Sequence, residues 1–411
     1  MPFKLFGKKP SATTRPDIAE MLAEAEVRSG AATRAKEVPA WALLLRSPYK
    51  SYPEPTSWLG GTPKVPPTFQ WPEDKDGRAL HFVAQIDLAA LKPEPSTGAR
   101  APGLPAEGAL LAFIGNGHAV RVLSRREMEH AVATPPPSTL PDLSEHGFWG
   151  PGSTFGHWPV DPVAYVSRGE ERPAFLPDPF ATPQQWITNW GLAALEASLA
   201  HDALALELRQ GREFMEQRRS QAALGRALPS MPHIERRIAH CALLEERAPA
   251  VLDALQDWRA TCAARPAETA VDVSALAAIF AVRTRLSAAM QSNYGARTVL
   301  AGTARAVWQK LLADAPGTQG RKDFSAIATA YRPFVEARIT DWRGHRLFGI
   351  EPEFPNNFED LRNQSPLISI AADELLGTQS EHDYGFSVWL EDQDVALGRY
   401  TGGQFIQHCA V

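Results

Sequence analysis

The residues best suited to chemistry are concentrated in one predicted loop, residues 146–158. The loop combines two histidines with aromatic side chains and glycines, a composition typical of loops that line a ligand cleft. His146 and His157 are eleven positions apart, which matches no metal-ligand spacing. Pro151 excludes the Gly-x-Ser-x-Gly turn of a nucleophile around Ser153. The loop therefore either binds a ligand or packs over the edge of a sheet.

Two tryptophans in the same loop favour recognition. Aromatic anchors carry much of the affinity at many interfaces, whereas each glycine in a packed element costs backbone entropy. We therefore predict that at least one of Trp149 and Trp158 is exposed to solvent. Both join His146 and His157 as candidate binding residues.

Two carboxylates complete the set of candidate binding residues. Asp87 shares one face of a predicted strand with Gln85, and buried polar groups of this kind need a hydrogen-bond partner. That partner is either a ligand or the backbone of a neighbouring loop. Asp383 precedes Gly385 at a predicted strand start, where an acid–base role and ordinary turn chemistry both fit.

Motifs that would name a reaction are missing from the sequence. It contains no His-Glu-x-x-His, dinucleotide-binding glycine pattern, Walker A sequence, EF-hand loop or kinase signature. We therefore predict no cofactor and no metal, and we name no catalytic residue. The missing motifs favour a protein that is not an enzyme. They do not decide the question, because catalytic residues can be far apart in sequence and come together only in the folded structure.

Composition limits the cellular setting. No apolar run reaches the roughly 18 residues of a membrane span, and the basic N-terminus lacks the apolar stretch of a secretory signal. Three cysteines form neither a disulfide framework nor a zinc pattern. Between residues 184 and 345 there are 20 Lys and Arg against 16 Asp and Glu, too small an excess to predict a nucleic-acid partner. We expect a cytoplasmic protein with no membrane contact.

Two blocks of the sequence share an order of motifs with a known family. The first block has Gly60-Gly61-Thr62-Pro63, then Trp71-Pro72, a Phe-Val-Ala-Gln-Ile-Asp strand at 82–87 and Leu-Pro-Ala-Glu-Gly at 104–108. This order resembles the YwqG-like family, a bacterial domain of unknown function. The resemblance implies a fold and leaves the activity open.

The second block lies near the C-terminus. His345 and Gly349 fit the family's His-x-x-x-Gly element, and an apolar strand follows at 366–370. Asp383 and Gly385 fit its next strand start, although Glu381-His382 stands where the family usually has glycine. The resemblance covers roughly half the chain, in two blocks separated by a long segment.

The spacing of apolar residues and the frequency of prolines and glycines divide the chain into four parts. Residues 1–37 form a tail with a docking helix, and 38–183 contain short apolar runs between prolines and glycines, which predicts strands. Residues 184–340 carry helical spacing that predicts an inserted all-α bundle of about five helices. Strands return in 341–411. We predict an α+β fold: a discontinuous sheet-rich domain with a helical insertion.

A weak internal repeat links the two sheet-forming parts. Residues 82–91 and 367–376 each read as a strand followed by a short acidic turn, and a loop, a glycine and a second apolar strand follow both times. Tandem units of this kind imply pseudo-symmetry, with a groove where they meet.

Two functions follow from these observations. The first is a cytoplasmic binding protein that acts through a protein partner, and an immunity or antitoxin-like role is one form of it. The alternative is a hydrolase or transferase that acts on a small polar ligand in a cleft between the repeats. Its first suspects are His146, His157, Asp87 and Asp383. Convergence of these four side chains on one pocket would favour the enzyme.

Overall fold

The computed structural model describes residues 37–407 except 149–151, 171, 226–230, 275, 278–280, 282–302, 318–321, 352–363, 379–384 and 401. The predicted docking helix in the first 37 residues lies outside the described part of the chain.

The fold is α+β, as predicted, and its main element is one antiparallel sheet of ten strands that nearly closes on itself. The edge strands approach each other where His118 Nε2 lies 3.3 Å from the carbonyl oxygen of Gly402. Two further strands, β3 (Lys64–Val65) and β7 (Val132–Ala133), pair separately. In order across the sheet the ten strands are β12 (Gln404–Gln407), β11 (Phe386–Glu391), β10 (Gln364–Ile370), β9 (Arg346–Phe348), β1 (Val38–Leu45), β8 (Trp158–Ser167), β2 (Trp58–Leu59), β4 (His81–Asp87), β5 (Ala109–Gly115) and β6 (Gly117–Leu123).

This strand order has two-fold pseudo-symmetry about the pair β1 and β8. From that pair outward, β9, β10, β11 and β12 on one side match β2, β4, β5 and β6 on the other. The registers agree as well, because Leu59 pairs with Trp158 of β8 and Leu347 pairs with Trp41 of β1. A β-bulge interrupts β4 between Phe82 and Ala84, and another interrupts β10 at the matching place. The predicted internal repeat is confirmed and extends to five strands in each half.

In each half, two successive residues with positive φ follow the paired leucine of the short strand. Gly60 and Gly61 follow Leu59 with φ of 61° and 71°, and Phe348 and Gly349 follow Leu347 with φ of 54° and 97°. Phe348 is the one non-glycine residue with positive φ in the described ranges. Its buried ring packs edge-on against Trp41, with centroids 6.1 Å apart, and this contact offsets the backbone strain.

Helices between β8 and β9 cover one face of the sheet. A capping box at Thr182 and Gln185 starts the short α2. The helices in chain order are α1 (Arg125–Met128, before β7), α2 (Pro183–Trp186), α3 (Trp190–Ala223), α4 (Pro232–Ala263), α5 (Thr303–Asp314), α6 (Arg332–Thr340) and α7 (Asp392–Ala396, after β11). None of the described helices is both long and apolar enough to cross a lipid bilayer.

The helices and the sheet share one continuous apolar core. Trp158 of β8 packs edge-on against Phe324, which in turn stacks on Trp308 of α5 with centroids 6.1 Å apart. The long hairpin of α3 and α4 departs from this core, since α3 has no buried residue beyond Leu208. The boundaries of a separable helical insertion at 184 and 340 stay a prediction.

Substitution of Gly60 tests the close approach of two turns. A Cβ at Gly60 would lie 2.0 Å from the carbonyl oxygen of Gly156, whereas a Cβ at Gly77, with φ of 75°, meets nothing within 4 Å. We expect Gly77→Ala to cost about 1 kcal/mol for positive φ alone. Gly60→Ala should cost about 3 kcal/mol or more, because backbone must move as well. Urea unfolding measures both, and equal losses would contradict the packing described here.

Candidate functional site

A cavity of about 450 Å³ opens on the outer face of the first half of the sheet, the face opposite the helices that lie between β8 and β9. Its floor is formed by Trp58, Gln85 and Ala109, which are buried and lie on three neighbouring strands. Asp87 lies beside them, at the end of β4. We call this site the Trp58 cavity. Its volume falls within the usual range for small-molecule sites, about 300–1,000 Å³.

Backbone groups fix the polar side chains of the floor. Gln85 Oε1 accepts a hydrogen bond from the backbone N–H of Lys64 at 2.9 Å. The turn at Gly60 and Gly61 makes this contact possible, because it returns the chain over the end of β2. Asp87 Oδ1 accepts from the N–H of Ala89 at 3.0 Å and thereby caps a short 3₁₀ turn. Both side chains are therefore held in place before any ligand arrives.

Two donors in the cavity wall have no acceptor among the described residues. Trp58 is 3% exposed, and its Nε1–H is buried without a hydrogen-bond partner. Gln85 lines the same cavity and accepts its hydrogen bond through Oε1, so its Nε2 amide is open to the cavity and has no protein acceptor in the described chain. An unsatisfied buried donor costs about 1–3 kcal/mol. Such groups are uncommon and call for an explanation.

The charges around the cavity are distributed unevenly. Lys64 forms an ion pair with Glu54, and Arg125 Nη1 lies 3.0 Å from Glu107 Oε2. These pairs are largely exposed and form the rim, where such pairs contribute little to stability. The hydrogen bond from Lys64 lowers the pKa of Glu54. Asp87 forms no ion pair with any described residue, so its carboxylate is the uncompensated charge of the site.

Aromatic and cationic groups flank the Trp58 ring. Lys64 Nζ lies 6.0 Å from the ring centroid, within cation–π range. The exposed ring of His157 is tilted against the indole, with centroids 6.1 Å apart. The predicted candidates Asp87 and His157 therefore both lie near Trp58, a residue that the sequence analysis did not select.

The other predicted site residues lie elsewhere. His146 contacts the opposite end of β4 from Asp87. Trp158 is 7% exposed, and its Nε1 donates to the carbonyl oxygen of Arg46 in the core. The expectation of an exposed tryptophan now depends on Trp149, which lies outside the described residues, as does Asp383.

His146 is half-buried and pairs with the buried His81. His81 Nδ1 lies 2.9 Å from the carbonyl oxygen of Ser153, and because a carbonyl only accepts, Nδ1 carries the proton. His81 Nε2 then accepts from His146 Nδ1 at 2.8 Å. Burial lowers the pKa of His81 to about 4 and also lowers the pKa of His146. Two neutral histidines thus fasten the 146–158 loop to β4.

Sequence reasoning selected His146 and missed His81. The two residues are 65 positions apart, so no local spacing could predict the contact. The available signal was a single histidine at the start of a strand whose following residues are mostly apolar.

Comparison with known proteins locates a domain in the same region. A family model described as a domain of unknown function (DUF1963) matches residues 57–134. No curated protein matches the chain. The matched range runs from β2 to β7 and contains Trp58, Gln85 and Asp87, so it builds most of the Trp58 cavity.

The histidine pair should make stability depend on pH. The folded pKa of His81, about 4, lies below its ordinary value of 6.5. This contribution is therefore complete above pH 6.5 and decreases as the pH falls toward 4, by at most about 3 kcal/mol. We expect His81→Asn to flatten the pH dependence of urea unfolding between pH 7 and 4.5. His130→Asn, at an exposed histidine, is the control. A slope unchanged by His81→Asn would refute the assignment.

Proposed function

We propose that this protein is a binding protein that holds a small polar ligand, or one residue of a protein partner, in the Trp58 cavity. The observation that carries this proposal is a pair of donors without acceptors in the described chain: Trp58 Nε1, which is buried, and Gln85 Nε2, which is open to the cavity. A ligand that brings an oxygen atom into the cavity supplies the missing acceptor. The domain of unknown function at 57–134 supplies this wall.

Binding fits the placement of the candidate side chains better than catalysis. A general acid or base must lie within hydrogen-bond reach of the reacting atom. Asp87 and His146 lie at opposite ends of β4, roughly 20 Å apart by the rise of an extended strand. In addition, the Trp58 cavity is lined by the first half alone, whereas the enzyme hypothesis places its cleft between the repeats. These placements support a site that recognises a ligand without transforming it.

The cellular part of the proposal rests on the sequence. The three cysteines without a disulfide pattern support a cytoplasmic location, and the motif order supports a bacterial, YwqG-like protein. A protein partner that inserts one residue into the cavity would suit an immunity or antitoxin-like role.

Native mass spectrometry of protein purified from cells tests the proposal. We expect a bound small molecule or partner that is lost from Trp58→Phe, because phenylalanine keeps an aromatic ring and removes the donor. Loss of one hydrogen bond of this kind weakens binding about tenfold. Trp71→Phe is the matched control, since Trp71 Nε1 also donates, to the carbonyl oxygen of Leu80 at 2.8 Å, but does not line the cavity.

Two results would contradict the proposal. One is a bound species that Trp58→Phe and the wild type retain equally. The other is the absence of any bound species from protein isolated without denaturation.

A further inference from the structure

We infer that the ligand of the Trp58 cavity carries an ammonium group next to a carbonyl or carboxylate oxygen, as in a free amino acid or the N-terminal residue of a peptide. This inference rests on the proposed function and specifies the chemistry that the site recognises. It follows from the charge of Asp87, from the two donors beside it and from their spacing.

The carboxylate of Asp87 would be paired by a cationic group on the ligand. Its Oδ1 accepts only one backbone hydrogen bond, from Ala89, and the carboxylate has no ion pair among the described residues. The cations at the rim are already engaged, Lys64 by Glu54 and Arg125 by Glu107. A half-buried carboxylate gains most from a charged donor, because charge-assisted hydrogen bonds are stronger than neutral ones.

The donors of Gln85 and Trp58 next to Asp87 would be satisfied by an acceptor oxygen atom on the same ligand. Gln85 Nε2 and Trp58 Nε1 both donate, so a bare metal ion or a polyamine would leave them unsatisfied. A simple carboxylic acid would satisfy the donors and meet repulsion from Asp87. A ligand with both an ammonium group and an acceptor oxygen satisfies all three side chains.

The spacing of these side chains requires the two ligand groups to be close together. Gln85 and Asp87 point to the same face of β4 two residues apart, which separates their Cα atoms by about 7 Å. In an α-amino acid the ammonium nitrogen and the carboxyl carbon are attached to the same carbon atom. The remaining cavity wall includes the Trp58 ring, Ala109 and Met128, which suits an apolar side chain.

Isothermal titration calorimetry with the full chain tests this chemistry. The probes are L-leucine, Leu-Gly-Gly and N-acetyl-Leu-Gly-Gly. We expect at least one of the two free-ammonium probes to bind, and we expect the acetylated peptide to bind at least tenfold more weakly than Leu-Gly-Gly or not at all. Binding of L-leucine alone identifies a free amino acid as the ligand class, and binding of Leu-Gly-Gly identifies a peptide N-terminus.

Asp87→Asn gives the residue-level test. Asparagine keeps the cap on the 3₁₀ turn, because its side-chain oxygen also accepts from the Ala89 N–H. The variant should lower the affinity for the free-ammonium probe at least tenfold and leave the acetylated peptide unchanged. Asp253→Asn is the matched control, since it makes the same change at an exposed carboxylate of α4 that does not line the cavity, and it should change the affinity less than threefold.

The outcomes separate the two proposals. If no free-ammonium probe binds, or if acetylation and Asp87→Asn leave affinity unchanged, the inferred ligand class is wrong. The cavity would still stand as the binding site if Trp58→Phe releases the natural ligand in native mass spectrometry. If Trp58→Phe releases nothing and free-ammonium probes bind it as they bind the wild type, the site itself is misplaced and both proposals fail.

Discussion

The pairing of β1 with β8 is the constraint on which the rest of the sheet depends. Eight residue pairs join Val38–Leu45 to a part of the chain more than a hundred residues away. β9 then adds to the free side of β1, and β2 adds to the free side of β8. Because each half of the sheet is attached to one of these two strands, the pair fixes how the two halves are joined. The long sequence separations also predict slow folding.

Pseudo-symmetry allows the residues of the Trp58 cavity to be compared with their counterparts in the second half of the sheet. By strand register, Arg346 occupies the position in the second half that Trp58 occupies in the first. Arg346 forms a buried ion pair with Glu351, and Glu351 also accepts a hydrogen bond from the hydroxyl of Ser369. Ser369 is the counterpart of Gln85. At these positions the second half pairs charged and polar side chains with one another, although Arg346 Nε has no partner among the described residues. In the first half, Trp58 and Gln85 leave two donors without acceptors in the described chain.

The sequence predicts the parts of this structure that depend on local patterns. Apolar runs locate β4 and β5, and the repeated motif order predicts the pseudo-symmetry. The rest of the site depends on contacts between residues far apart in sequence. The contacts of His81 with His146 and of Trp58 with Gln85 are of this kind, and no local sequence pattern predicts them. The 146–158 loop shows the limit most clearly. Its Gly156 permits backbone contact with Gly60, and Trp158 fills the core, so the composition that indicated a mobile recognition loop also serves close packing.

A buried ionic network determines which face remains available. Arg343 binds Asp373 and Glu374, Trp308 Nε1 donates to Glu374, and His345 Nε2 lies 3.1 Å from Asp373 Oδ2. Burial alone would raise the pKa of Asp373, but the Arg343 guanidinium and His345 hold it well below its usual range. This network fastens α5 to the second half of the sheet. The Trp58 cavity opens on the opposite face and in the opposite half, so this network and the cavity do not compete for the same surface of the sheet.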